Sequence, residues 1–300
     1  MKPRIGIALG SGGARGLAHL GVLKVLEDAQ IPVHAIAGTS MGAIVGAMYA
    51  QNPDIGAVTR RFIRFLSSEK FDSLGMKMLM PHTDQQPSFL GHFVQVVAKR
   101  IVVNIAQSRT GIIKTERLRE AISELIDDGD IQDTRIPFGA VATDLNTGAT
   151  VHLTSGSIRE AVIYSSSIPG FISPHTFDQK IVSDGAVSSP VPVSEVQQMG
   201  ANFIIAVNVS ADQLRPLSEP NIIDILTRSD IIHGIALANL QMQQADIQIH
   251  PEVKDAHWSE FQRYEEFIEA GIRATRRQLP KIQRKLDQHG GMHSAVFNRM

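Results

Sequence analysis

Two glycine-rich stretches of this 300-residue sequence hold groups that could act together on a carbonyl carbon. The first is Gly38-Thr39-Ser40-Met41-Gly42, which follows the apolar run Ala35-Ile36-Ala37 and leads into a helical pattern from Met41 to Ala50. A serine on a sharp strand-to-helix bend presents its hydroxyl outward, and flanking glycines remove side chains that would crowd the turn. The helix behind it favours negative charge at its N-terminus. A plain turn serine or N-cap explains the same five residues, so Ser40 needs partners before it reads as a nucleophile. The second stretch is Gly10-Ser11-Gly12-Gly13-Ala14-Arg15-Gly16, set between an apolar strand, Ile5 to Leu9, and a helix from Leu17 to Ala29. Consecutive backbone N–H groups in such a loop can converge on an anion. A dinucleotide loop would have its third glycine one place before Gly16, with an acidic residue after the second strand, and a nucleoside triphosphate loop would end in Lys and then Ser or Thr. None of these is present. An oxyanion cradle remains, provided that the first two strands lie side by side.

Serine chemistry also needs a base. The order Ser40, Asp184, then His233, His250 or His257 suits a serine, acid, histidine triad. Alternatively, Asp184 acts on Ser40 directly, as an aspartate desolvated enough to raise its pKa. Asp184-Gly185-Ala186 follows a hairpin pattern over Phe177 to Ser183, which predicts an exposed Asp184 between elements. Asp144 is a rival carboxylate, but its setting, Asp144-Leu145-Asn146-Thr147-Gly148, reads as an Asx turn.

The elements that must hold these groups begin as two strand-helix units within the first fifty residues, which predicts a parallel sheet with helices on both faces. Loops at the carboxyl ends of its strands would then carry the chemistry. From Asn52 to Lys114 the pattern loosens, with a loop over Gly75 to Pro87. Phe89, Leu90, Phe93, Val96, Val97 and Ile101 then recur at helical spacing in a tract, Gln85 to Thr115, without acidic residues. Residues 85–103 are accordingly expected to form a basic amphipathic helix, either packed on the core or lining a lipid entrance. Further on, Leu118 to Ile126 and Ile158 to Ser166 read as helices, and Ile136 to Thr143, Thr150 to Thr154 and Phe203 to Val209 as strands. A long helix over Asn221 to Ala245, a short strand Ile247 to His250, and a helix over Glu260 to Leu286 broken or started afresh at Pro280 complete the pattern.

Composition narrows the classes. A hydrophobic content of 43% supports a large core, and a net charge of −1 gives no basic field for nucleic acid. The absence of cysteine excludes disulfides, thiolate metal sites and a thiol nucleophile. Ala29 to Pro53 holds no charged residue, but Pro32, His34 and the Gly38 turn argue for core elements over a membrane span.

The glycine loop, the Ser40 turn, Ser165-Ser166-Ser167-Ile168-Pro169 and Asp184-Gly185-Ala186 together resemble the ordered blocks of the patatin-like phospholipases, particularly small bacterial-type members related to neuropathy target esterase. The resemblance spans about residues 4–209. It implies a three-layer α/β/α fold with a mostly parallel central sheet. A single domain over 1–300 is expected, with residues 210–300 a mainly helical part packed on the core. The resemblance further implies hydrolysis of a phospholipid or lysophospholipid acyl ester by a Ser40–Asp184 dyad, without a catalytic histidine, metal or cofactor. Gly12, Gly13 and Ala14 would supply the oxyanion hole, and Arg15 would fix the loop or approach an anionic head group. Ser11 and Ala186 depart from the family, standing where many members have glycine. A cytoplasmic protein is expected, with peripheral contact at the inner face of the membrane left open. Readings that keep the motifs but change the function are a serine acyltransferase, a histidine-dependent esterase, and a phosphate- or nucleotide-binding regulatory module in which Ser40 is structural.

Overall fold

Alternation of large and small side chains decides how the first strands sit. In β1 (Ile5–Leu9), Ile5, Ile7 and Leu9 face one layer of helices, while Gly6 and Ala8 face the other. In β2 (Ala35–Thr39), Ile36 joins the large side, and Ala35 and Ala37 the small one. The computed structural model describes residues 3–74, 110–210, 214, 216–217, 220–254 and 256–291. The loop expected over 75–87 and the helix expected over 85–103 lie outside the described residues.

On the large-residue side lie α1 (Ala18–Asp28), α2 (Met41–Gln51) and α3 (Ile55–Leu66), followed by the short α4 (Glu69–Ser73). The expected loosening after Asn52 is corrected here. Ile55, Val58, Phe62 and Phe65 make a buried stripe on α3, and Asp54 caps it by accepting the Ala57 N–H at 2.9 Å. After β3 (Gly111–Ile113) come α5 (Thr115–Leu125), β4 (Phe138–Asp144), β5 (Thr150–Leu153) and α6 (Ile158–Ser165). The chain continues through β6 (Gly170–Ile172), β7 (His175–Phe177), β8 (Lys180–Asp184), α7 (Val193–Gln198) and β9 (Phe203–Val207). It then forms α8 (Ile222–Met242), β10 (Ile247–Ile249) and α9 (Tyr264–Gly291).

Strands β10, β9, β1, β2 and β4 pair in that order and all in parallel, while β5, β8 and β7 run antiparallel to their neighbours. Helices on both faces make this a three-layer α/β/α fold. Strand β3 pairs with β6 in a separate two-stranded sheet. The antiparallel members matter most for the site. β5 occupies Ala140 to Thr143 on one edge of β4, so β2, opposite Phe138 to Val141, and β8, opposite Ala142 to Asp144, must share the other edge. They lie end to end, β2 running up to Thr39 beside Val141 and β8 running down to Asp184 beside Ala142.

Two C-terminal helices differ from each other in how they are held. α9 lies along α1 and continues through Pro280, correcting the expected break. Pro280 and Arg276, whose carbonyl loses its donor, both face solvent, and buried Ile282 fixes the opposite side. α8 starts with a capping box between Asn221 and Asp224, and among its described side chains only Ala238 and Met242, in its last turns, are buried. Ile222, Ile225, Leu226, Ile232 and Leu240 fall on its opposite face and are exposed. Among the described residues no helix is long and apolar enough to cross a membrane.

Candidate active site

The end-to-end arrangement of β2 and β8 brings Ser40 and Asp184 together. Ser40 is the first residue past β2, with φ 55° and ψ −119°, a conformation that a side chain rarely adopts and that aims the hydroxyl off the end of the strand. Gly42 allows the bend, because a Cβ there would lie 2.1 Å from the Leu9 carbonyl oxygen. Gly185 allows the other approach, since its Cβ would lie 2.2 Å from the Val141 carbonyl. Asp184 is buried, contrary to the exposure expected of it, because β8 ends against β4 beneath the turn after α6.

Burial pushes the Asp184 carboxyl up to about 6, against the lowering effect of hydrogen bonds from the Ala186 N–H and the Ser40 hydroxyl. The Ala186 bond is 2.8 Å long. Among the described residues no histidine bonds either Ser40 or Asp184. His233 is exposed on α8, His250 is exposed after β10, and His257 turns its Nδ1 to the Ser259 hydroxyl at 2.7 Å. Asp144 forms the expected Asx turn, accepting from the Asn146 N–H at 3.1 Å and the Thr147 hydroxyl at 2.8 Å.

The glycine loop follows β1, directly beside β2. Its Gly10 and Ser11 N–H groups donate to Val207 and Pro190, and the Ala14 N–H donates to the Trp258 carbonyl at 2.7 Å. Ala14, one of three amides expected to face an oxyanion, is thus already engaged. Among the described residues the Gly12 and Gly13 N–H groups have no protein acceptor. Arg15 folds back so that its Nε donates to the Gly12 carbonyl at 3.2 Å, a contact that steadies the loop. From below, buried His19 on α1 donates its Nε2–H to the Gly10 carbonyl at 2.7 Å. Burial pushes that ring down to about 4, outweighing the carbonyl's raising effect, so His19 stays neutral.

Two serines at the end of α6 brace the pair. Ser165 Oγ accepts the Ser40 N–H at 3.0 Å. The Ser167 carbonyl accepts the Asp184 N–H at 3.0 Å and the Ser183 hydroxyl at 2.6 Å. The sequence marked this segment as a block without giving its residues roles, because hydroxyl-to-backbone bonds across 125 positions leave no local pattern. Beside Ser40 opens a narrow cleft of about 110 Å³, walled by Phe62, Phe65, Phe71, Ile122, Phe171 and Trp258. The α3 part of that wall was legible in the helical spacing of Ile55, Val58, Phe62 and Phe65. Trp258 had no signal, since it follows an irregular stretch far from either motif.

A family model described as patatin-like phospholipase matches residues 7–196. An uncharacterized NTE family protein of Mycobacterium tuberculosis is 30% identical over 226 residues, which is 74% of this chain and 54% of that protein. The chain therefore spans about half the length of that relative. Patatin-like phospholipase domain-containing protein 6 of Homo sapiens is 27% identical over 216 residues, 71% of this chain and 14% of the relative. VipD from Legionella pneumophila shares the fold with a TM-score of 0.51 at 14% identity, over 94% of this chain and 67% of that one. With its glycine loop, serine turn and buried aspartate all inside or at the matched segment, the chain belongs to the patatin-like phospholipase family and is related within it to the NTE family proteins.

Proposed function

We propose that this chain hydrolyses acyl esters of phospholipids or lysophospholipids through Ser40 and Asp184. The observation that carries this reading is a serine hydroxyl on a strained bend, bonded to a buried carboxylate at the mouth of an apolar cleft. Asp184 takes the Ser40 proton as Oγ attacks the acyl carbon, and the carbonyl electron pair moves onto oxygen. The Gly12 and Gly13 N–H groups receive that oxyanion. Collapse of the intermediate expels the alcohol, which leaves with the proton from Asp184. Water then attacks the acyl-serine with Asp184 again as base, and the fatty acid departs. No metal or cofactor enters this scheme. A pKa of about 6 leaves Asp184 roughly nine-tenths ionised at pH 7, which suits a general base.

The apolar lining supports a hydrocarbon chain in the cleft, and the exposed face of α8 supports peripheral contact with a lipid surface. The test is labelling by a fluorophosphonate probe, with turnover of phospholipid vesicles and lysophospholipid micelles in parallel. Labelling of the wild type, its loss in Ser40→Ala and Asp184→Asn, and its retention when His233, His250 or His257 is replaced are the expected results. Loss with one histidine would favour the triad instead. Absence of labelling in a folded wild type would overturn the hydrolase reading.

A further inference from the structure

The oxyanion site proposed above has two free backbone donors, its expected third having turned to Trp258. We propose that the side chain of Ser166 supplies the missing donor, bonding the carbonyl oxygen as it becomes negative. The inference rests on the acyl-transfer reading.

Ser165, Ser166 and Ser167 are consecutive, yet their hydroxyls are used differently. Ser165 Oγ accepts the Ser40 N–H, and Ser167 Oγ donates to the Ile163 carbonyl at 2.7 Å. Ser166 Oγ is buried and has no partner, although the residue lines the cleft together with Ser40 and Gly13. Folded proteins leave few buried hydroxyls unpaired, because each loses its bonds to water without replacement. An apolar cleft offers Ser166 nothing in exchange until a polar atom of a ligand arrives there. The ligand atom that needs a donor at this end of the cleft is the acyl oxygen, since the nucleophile stands beside it.

The backbone around Ser166 is also held on both sides by the reacting groups. One neighbour bonds the Ser40 amide, and the other bonds the Asp184 amide at 3.0 Å. A hydroxyl fixed in this way needs little rearrangement as charge develops, which is the condition under which a donor accelerates the chemical step. Ser166 keeps its own proton throughout, and only the bond from it strengthens.

The test compares full-length wild type, Ser166→Ala and Ser166→Cys on an activated oxygen ester and on the matching thionoester, whose sulfur is a poor acceptor. Cysteine keeps the approximate size of serine and donates weakly. For the oxygen ester both variants are expected to lose about 100-fold in kcat, with KM within about twofold. On the thionoester the loss should shrink to a few-fold. The melting temperature of Ser166→Ala should match or exceed that of the wild type, because an unpaired buried hydroxyl has been removed. Retention of kcat within about threefold in either variant would overturn the assignment. So would equal losses on both esters, or a loss that tracks a fallen melting temperature and is absent in the cysteine variant, since these mark a structural residue. A wild type that hydrolyses neither ester and takes no fluorophosphonate overturns the acyl-transfer reading, and this inference with it.

Discussion

Replacing Asp184 with asparagine should cost the protein its activity and make it harder to melt. The folded chain raises this carboxyl from 3.8 to about 6, mainly through burial. At about 1.4 kcal/mol per pH unit, holding the ionised form in the fold is about 3 kcal/mol less favourable than in the unfolded chain. The penalty is absent below pH 3.8, where both states are protonated, grows as pH rises through that window, and is complete above pH 6. Asparagine fills the same space without charge, and its oxygen can still accept from the Ala186 N–H. Asp184→Asn is therefore expected to lose roughly 10²- to 10⁴-fold in turnover, the usual contribution of a general base. Its melting temperature at pH 8 should rise by roughly 6 °C, at about 2 °C per kcal/mol for a chain of this length. By pH 4.5 the gain should shrink to about a third of that. Calorimetric melts of both proteins at pH 4.5, 6 and 8, beside ester turnover, make the comparison. An unchanged or lowered melting temperature at pH 8, or a gain independent of pH, would refute the reasoning.

Gly42→Ala places a methyl 2.1 Å from the Leu9 carbonyl and must displace the start of α2. It should destabilise by about 1–3 kcal/mol in urea titrations and abolish fluorophosphonate labelling. Ile225→Ser with Leu226→Ser on the exposed face of α8 should weaken sedimentation with phospholipid vesicles while turnover of a soluble short-chain ester is unchanged. Equal vesicle binding would remove α8 from any lipid contact. His19→Gln keeps an N–H for the Gly10 carbonyl but removes a ring that must stay neutral. Its melting temperature relative to wild type should climb by about 5 °C between pH 7 and pH 4.5.

The bend at Ser40 and the strand-loop-helix at Gly10 to Gly16 were legible because turn glycines and short apolar runs are local signals. Their adjacency was legible as well, since consecutive strand-helix units build neighbouring parallel strands. The burial of Asp184 was not. It depends on β8 sharing an edge of β4 with β2, a pairing across more than forty residues that hairpin signals around Phe177 do not encode. The same holds for Ala14, whose expected role assumed an open loop, whereas the Trp258 carbonyl arrives from the far C-terminal part. The helix at Ile55 was a failure of reading, because its stripe and its Asp54 cap were both present in the residues.

Two buried titratable groups meet the glycine loop and the serine turn, and burial moves them in opposite directions. His19 must remain neutral to hold Gly10, so its lowered pKa, about 4 against 6.5, withdraws stability as pH falls through that interval. Asp184 must ionise to act on Ser40, so its raised pKa withdraws stability as pH rises from 3.8 to about 6. Each effect amounts to about 3 kcal/mol, and the windows overlap. Their sum therefore varies by only about 1 kcal/mol between pH 4.5 and pH 8, although each group alone would tilt the curve. The contribution of this pair to stability is then nearly independent of pH across the range in which Asp184 loses its proton. Under the proposed mechanism, a kcat/KM that climbs through pH 6 reports the ionisation of the base, and melts recorded at each pH beside it separate that climb from any change in how much enzyme is folded.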